Sequence, residues 1–355
     1  MGAPHDSDRS DSANASPPSI LPLDVRGVRW RDLSGLRRLD TVYRLNQPES
    51  QLAPYSVLRS GLRASLPGAR GRRPTFVANA GDRLVGYAQF QATGPDQRWL
   101  AVALGASVGV FDADPVWEAL LLHAVRAAGL RGVKRLYARV PQAVPVAWVL
   151  RRQAWTPYAA ETIFAAQDLR DVTPSRIGRP QTPADTWAIH QLYSAAVPRG
   201  VQDAEAYTSH HWDPLVRRGG STAKVAGWVI ADGHQLIGYA RTASRTGVHL
   251  LELVYHPDRR EVLDDLIVGA LAALPDRPAR RVYCAVRGYQ AEAATALEDR
   301  GFVPTLEQDL LVRYTTATAR VPAVEAVSFH VEVRDKLPQR VPSFLHGRRR
   351  DGSVG

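Results

Sequence analysis

The chain has 355 residues, 45% hydrophobic and 23% charged, the proportions of a soluble globular protein long enough for two domains. Its single cysteine, Cys284, excludes a disulfide framework and a thiolate metal cluster. The net charge of +10 would suit a nucleic-acid partner, but only three of the 45 basic residues are lysine and the arginines are spread along the chain, so the charge reads as compositional bias and argues against such a partner.

Residues 1–22 are rich in Ser, Asp, Pro and Ala, with no basic start or apolar block, and are expected to form a disordered tail of a cytoplasmic protein. The longest apolar run, "AVALGASVGV", is too short to cross a membrane. A first domain is expected over 23–170. It opens with a helix in "LSGLRRLDTVYRL", then a hairpin in "FVANAGDRLVGYA" (76–88) and a strand near Trp99–Ser107. A helix capped by Asp114 with Pro115 in its first turn comes next. The strand "RLYARV" (135–140), a short helix ending at "QAW" and a closing strand complete the unit.

A linker is expected over 171–180, and the pattern then starts again over 181–318. "PADTWAIHQLYSAA" reads as the opening helix and "WVIADGHQLIGYA" (228–240) as the hairpin, with Gly86 and Gly238 standing 152 residues apart. "RVYCAV" (281–286) repeats "RLYARV" at a spacing of 146, and Pro304 repeats Pro157 at 147. Three blocks in one order at nearly one spacing define two homologous units. In the second unit Leu263, Leu266, Ile267, Ala270 and Leu271 fall on one helical face after the strand Val248–Tyr255, and Gly301 suits a helix stop. Residues 319–355 hold an extra alternating strand, "AVSFHVEVRD" (326–335), expected to cross to the first unit, and a basic tail.

This order, with "LVGYA", "LIGYA", "LVYHPDRR" and "ALEDRGF" as its marks, resembles the GNAT (N-acetyltransferase) superfamily. The resemblance implies an α/β (α+β) fold of two tandem GNAT-like domains, each a mixed, mostly antiparallel sheet flanked by helices. It implies acetyl-CoA or another acyl-CoA as co-substrate, lying in a wedge where the fourth and fifth strands splay, with its pyrophosphate at the next helix start. Carried onto the second unit, it makes the edge of Leu253, Val254 and Tyr255 the pantetheine contact and Arg259 and Arg260 the phosphate contact. The motif's glycines are replaced by Val262 and Asp264, or by Leu263 and Asp265 in the other register. The first unit offers Asp112, Asp114 and Glu118 there, with no basic residue.

A tyrosine that the family often uses as general acid is Leu297 in the second unit and Leu150 in the first. The asparagine that commonly opens the last helix is Gln290, either a cofactor hydrogen-bond partner or a solvated glutamine, and Ala143 in the first unit. Glu252, a carboxylate within a central strand, is either the base for an attacking amine or half of an ion pair. His210 and His211 lack metal spacing, and no metal is expected. The functional expectation is acyl transfer from acyl-CoA to a small-molecule amine in the second unit. The alternative is an inert GNAT-fold protein that binds a small molecule or a partner protein. Oligomeric state is not readable.

Overall fold

The repeat in the sequence is a repeat of elements. The structure is a computed structural model that describes residues 22–315 except 40, 53–55, 67–71, 94–97, 108–112, 170–171, 173–176, 215–222 and 276–278. The expected tail up to residue 21 and the expected strand at 326–335 lie outside the described residues. The first half runs β1 (Leu23–Gly27), α1 (Leu33–Leu36), β2 (Thr41–Arg44), α2 (Val57–Ser65), β3 (Thr75–Ala80), β4 (Arg83–Thr93), β5 (Arg98–Ala106), α3 (Ala113–Gly129), β6 (Arg135–Pro141), α4 (Val146–Arg152) and β7 (Thr156–Leu169). The second runs β8 (Arg179–Pro180), α5 (Thr186–Ala196), α6 (Arg199–Glu205), β9 (Lys224–Asp232), β10 (Gln235–Arg245), β11 (Val248–Tyr255), α7 (Leu263–Ala272), β12 (Ala279–Arg287), α8 (Ala291–Glu298) and β13 (Val303–Tyr314).

Two expectations need correction here. The first opening helix stops at Leu36, and Thr41–Arg44 is a strand. Thr41, Val42 and Tyr43 are β-branched or aromatic, and they suit a pleated surface better than a helix. The end of the segment expected to be a linker, Arg179–Pro180, pairs with β9 as an edge strand.

All strands but β2 follow one path, β1-β3-β4-β5-β6-β13-β7-β12-β11-β10-β9-β8, and β2 joins β5 off that path. Its centre also corrects the sequence reading, in which each unit closed its own sheet. β13 of the second half pairs antiparallel with β6 of the first, and β7 of the first pairs antiparallel with β12 of the second. The exchange is reciprocal and in register. Arg135 faces Tyr314 and Arg281 faces Gln167, and each partner is displaced by the repeat spacing, 146 or 147 residues. β7 and β13 lie side by side on the pseudo-twofold axis, where Glu161 faces its own counterpart, Gln308.

Helices cover both faces. α3 buries Val116, Trp117, Leu120, Leu121, Ala124 and Ala128 against the first half. Each large side chain among them contributes roughly 1.5–3 kcal/mol. The glycine of the "GYA" motif permits this approach: a β-carbon on Gly86 would stand 2.3 Å from Val116. In the second half the expected apolar face of α7 is buried, and α5 with the turn at Ser209–Trp212 covers the opposite face.

Candidate active site

Each half contains a cleft where its two parallel strands part. In the first half β5 and β6 pair from Arg98↔Arg135 to Leu100↔Tyr137 and then diverge. β2 fills the gap. It pairs with β5 from Thr41↔Ala106 to Arg44↔Ala103. The chain then bridges both walls, with Leu45 N donating to Val102 O (2.8 Å) and Asn46 N to Arg139 O (3.0 Å). Gly105 admits this strand, since a β-carbon there would meet Val42 Cγ2 at 3.0 Å and Thr41 O at 3.1 Å. The backbone edge exposed by the divergence is thus satisfied by the protein itself.

In the second half β11 and β12 pair from Val248↔Arg281 to Leu251↔Cys284 and then part. No strand enters here among the described residues. The Gln290 side chain crosses the gap instead. Its Nε2 donates to Leu253 O (3.0 Å) and its Oε1 accepts from Arg287 N (3.1 Å). A cavity of about 110 Å³ remains between β11, the end of α5 and the start of α8, with Val254, Tyr255, Arg260, Tyr289, Gln290 and Glu292 on its walls. That is the liquid volume of about four water molecules, room for an acetyl thioester but not for an extended arm.

The surroundings of this cavity carry charges that answer one another. Arg259 pairs with Asp232 (2.5 Å) and Glu261 (2.6 Å), and Arg260 pairs with Glu292 (2.8 Å). Glu292 also accepts from the Tyr255 hydroxyl at 3.3 Å. Burial and this carboxylate push the Tyr255 phenol up to about 12. Burial likewise raises the Tyr289 phenol, so both stay protonated at neutral pH. Asp264, at the helix start, is engaged by Arg300 at 2.8 Å.

Glu252 alternates in facing with Leu251 and Leu253, which join the core under α7. It is half-buried, stands across from the buried Arg241 in the ladder, and its charge is felt by Glu49, Cys284 and Tyr289. Around it the two halves share a polar seam. Arg287 pairs with Glu161 (2.8 Å) and Glu205 (2.9 Å), Arg139 pairs with Glu49 (2.7 Å), and Tyr193 donates to Glu205 (2.8 Å). Burial opposes the charge on Arg287, and Glu205 and Glu161 more than offset it. Cys284 is fully buried and its thiol is pushed up by burial, which makes it an inert core group.

Of the residues singled out in the sequence, Val254, Tyr255, Arg260 and Gln290 meet on the cavity. Leu253 presents its carbonyl to the same gap. Glu252 lies on the neighbouring strand position, and Arg259 is turned to Asp232. Sequence reasoning missed Tyr289 and Glu292, which flank Gln290, and missed the first-half residues Glu49 and Glu161 of the seam. Proximity to Gln290 could have indicated the first two; nothing local indicated the others.

Among solved structures, a GCN5-related N-acetyltransferase from Sphaerobacter thermophilus superposes with a TM-score of 0.51 at 14% identity, over 84% of this chain and 98% of that one. A tandem GNAT protein from the clavulanic acid biosynthesis pathway gives 0.48 at 17% identity, over 84% and 100%. No protein-family model matches the sequence, and no curated protein matches it. The fold is therefore that of the GCN5-related N-acetyltransferases, built twice in one chain. No helix among the described residues is long and apolar enough to cross a membrane.

Proposed function

We propose that the second half takes an acyl-CoA, with its thioester end in the cavity between β11 and α8, and passes the acyl group to an amine. The supporting observation is convergence: four residues chosen from sequence line one cavity, beside the part of β11 that β12 has left. Glu252 would take the proton from the attacking ammonium. The new C–N bond forms as the C–S bond breaks, and the thiolate takes a proton from water or from Tyr289, which burial keeps protonated. In the first half β2 already holds the corresponding edge, so that half serves as scaffold and contributes Glu49 and Glu161 to the seam.

A second reading, binding without transfer, is favoured by one feature. Gln290 and the ion-paired arginines occupy the groups that would hold a ligand's amides and phosphates. Calorimetric titration of the intact chain with acetyl-CoA, paired with detection of free thiol in the presence of amines, separates the readings. Binding with thiol release supports transfer, and binding without release supports the second. Binding weakened at least about tenfold by Arg259→Ala with Arg260→Ala places the ligand as proposed. No binding at all overturns both.

A further inference from the structure

A cavity of about 270 Å³ lies away from this site, at the free edge of the first half beside β1 and α2. It is cationic to an unusual degree. Among the described residues, four of its ten lining residues are arginine, against 42 in the 355 of the chain, and none of the ten is a carboxylate. Arg26 is structural, clamped on Asp32 at 2.7 and 2.8 Å. Arg29 donates its backbone N–H to Asp32 (2.6 Å), and its charge also favours that carboxylate. Among the described residues the guanidinium groups of Arg29, Arg73 and Arg131 form no salt bridge, and Arg131 lies over the Trp99 ring at 5.3 Å. The floor is apolar, formed by the buried Val28, Ala64 and Phe76.

The second half supplies an internal comparison. Its own clamp, Arg179 on Asp185, lies 153 residues after Arg26 and Asp32, and its edge pair Pro180↔Trp228 matches Gly27↔Phe76. By the same spacing Val28 becomes Gln181 and Arg29 becomes Thr182, while the 152-residue spacing of the hairpin turns Arg73 into Val225 and Thr75 into Gly227. There the room is filled. Gln181 lies over Gly227, donates to Trp212 O (2.6 Å) and accepts from the Tyr239 hydroxyl (3.2 Å). One fold position is thus plugged by a polar side chain in one half, and in the other is open and rimmed by guanidinium groups.

We propose that this cavity is a binding site for a small organic anion. Its acid group is met by Arg29, Arg73 and Arg131, and its apolar body rests on Val28, Ala64 and Phe76. The volume, that of about nine liquid waters, falls just under the usual range for drug-sized ligands. Planar guanidinium groups bind carboxylates and phosphates through paired hydrogen bonds. The site is independent of the acyl-CoA cleft, so failure of one reading leaves the other standing.

The test is titration of the full chain, at low ionic strength, with phenyl phosphate and with benzoate as probes. At least one is expected to bind, with the preferred probe naming the acid group. Arg29→Ala with Arg73→Ala should weaken that binding at least about tenfold. Arg37→Ala with Arg38→Ala removes the same charge outside the cavity and should leave binding within about twofold. Both pairs are surface changes, and thermal unfolding verifies that each variant folds. No binding by either probe up to about 10 mM, or equal losses in the two double variants, overturns the site.

Discussion

Gln290 shows how one side chain can decide the state of a cleft. Its amide mimics the backbone of a missing strand, taking an acceptor from β11 and a donor from β12. A ligand amide reaching Leu253 O must displace it. Gln290→Ala should therefore tighten acetyl-CoA binding by about threefold or more, since an intramolecular competitor worth roughly 1 kcal/mol is removed. Weaker binding in calorimetry would make Gln290 a ligand contact instead. A second residue-scale prediction concerns the repeated Arg–Asp clamp. The Asp185 carboxyl is drawn down to about 2 by the Arg179 hydrogen bonds, helped by Thr182 and opposed by burial. A depressed carboxylate stabilises the fold above its unfolded value near 4, and that contribution is lost as pH falls from 4 through 2. Arg179 is half-exposed, so screening reduces the effect. Asp185→Asn should cost about 1–2 kcal/mol at pH 7 and almost nothing at pH 2, as read by urea unfolding at the two pH values.

At the scale of elements, β2 sets the two halves apart. It occupies the first cleft through four ladder pairs and two further backbone hydrogen bonds. Gly105→Val would drive a branched side chain into Val42 and Thr41 O. The expected cost is about 1–3 kcal/mol, with faster hydrogen exchange at the Leu45 and Asn46 amides. Unchanged exchange there would mean that β2 tolerates the intrusion. This element also marks the limit of what the sequence discloses. The hairpins, α7 and the repeat were legible because glycines, turn residues and helical spacing are local signals. "TVYR" was absorbed into a helix because its partner, β5, lies some sixty residues onward and local pattern carries no trace of it. Val254, Tyr255, Arg260 and Gln290 were legible as neighbours through resemblance. The ion pairs of Arg259 and Arg260 were not, because Asp232 and Glu292 reach them from other elements.

At the scale of the whole molecule, the exchange of β7 and β13 makes each half depend on the other. Removing either strand would bare two sheet edges, so the chain should unfold in one cooperative transition. The centre of this arrangement is a near-symmetric contact between unlike residues. Gln308 Nε2 donates to Glu161 Oε1 at 2.5 Å, and both residues are buried on the axis. Had the repeat kept glutamate at both places, two carboxylates would meet there. At about 3 Å and an effective dielectric near 20 their repulsion is roughly 5 kcal/mol, of which Arg287 and Arg139 could screen only part. Gln308→Glu should therefore destabilise the full chain by about 3 kcal/mol at pH 7. The penalty exists only while both groups are ionised. Crowded carboxylates raise one another's affinity for a proton, so the penalty should shrink as pH falls and one of them becomes a hydrogen-bond donor in place of the lost amide. Urea unfolding of the variant between pH 7 and pH 4, followed by tryptophan fluorescence from both halves, provides the measurement. A single transition whose deficit narrows toward pH 4 is expected. A constant deficit, or a loss confined to one half's tryptophans, would show that the axis does not couple the two.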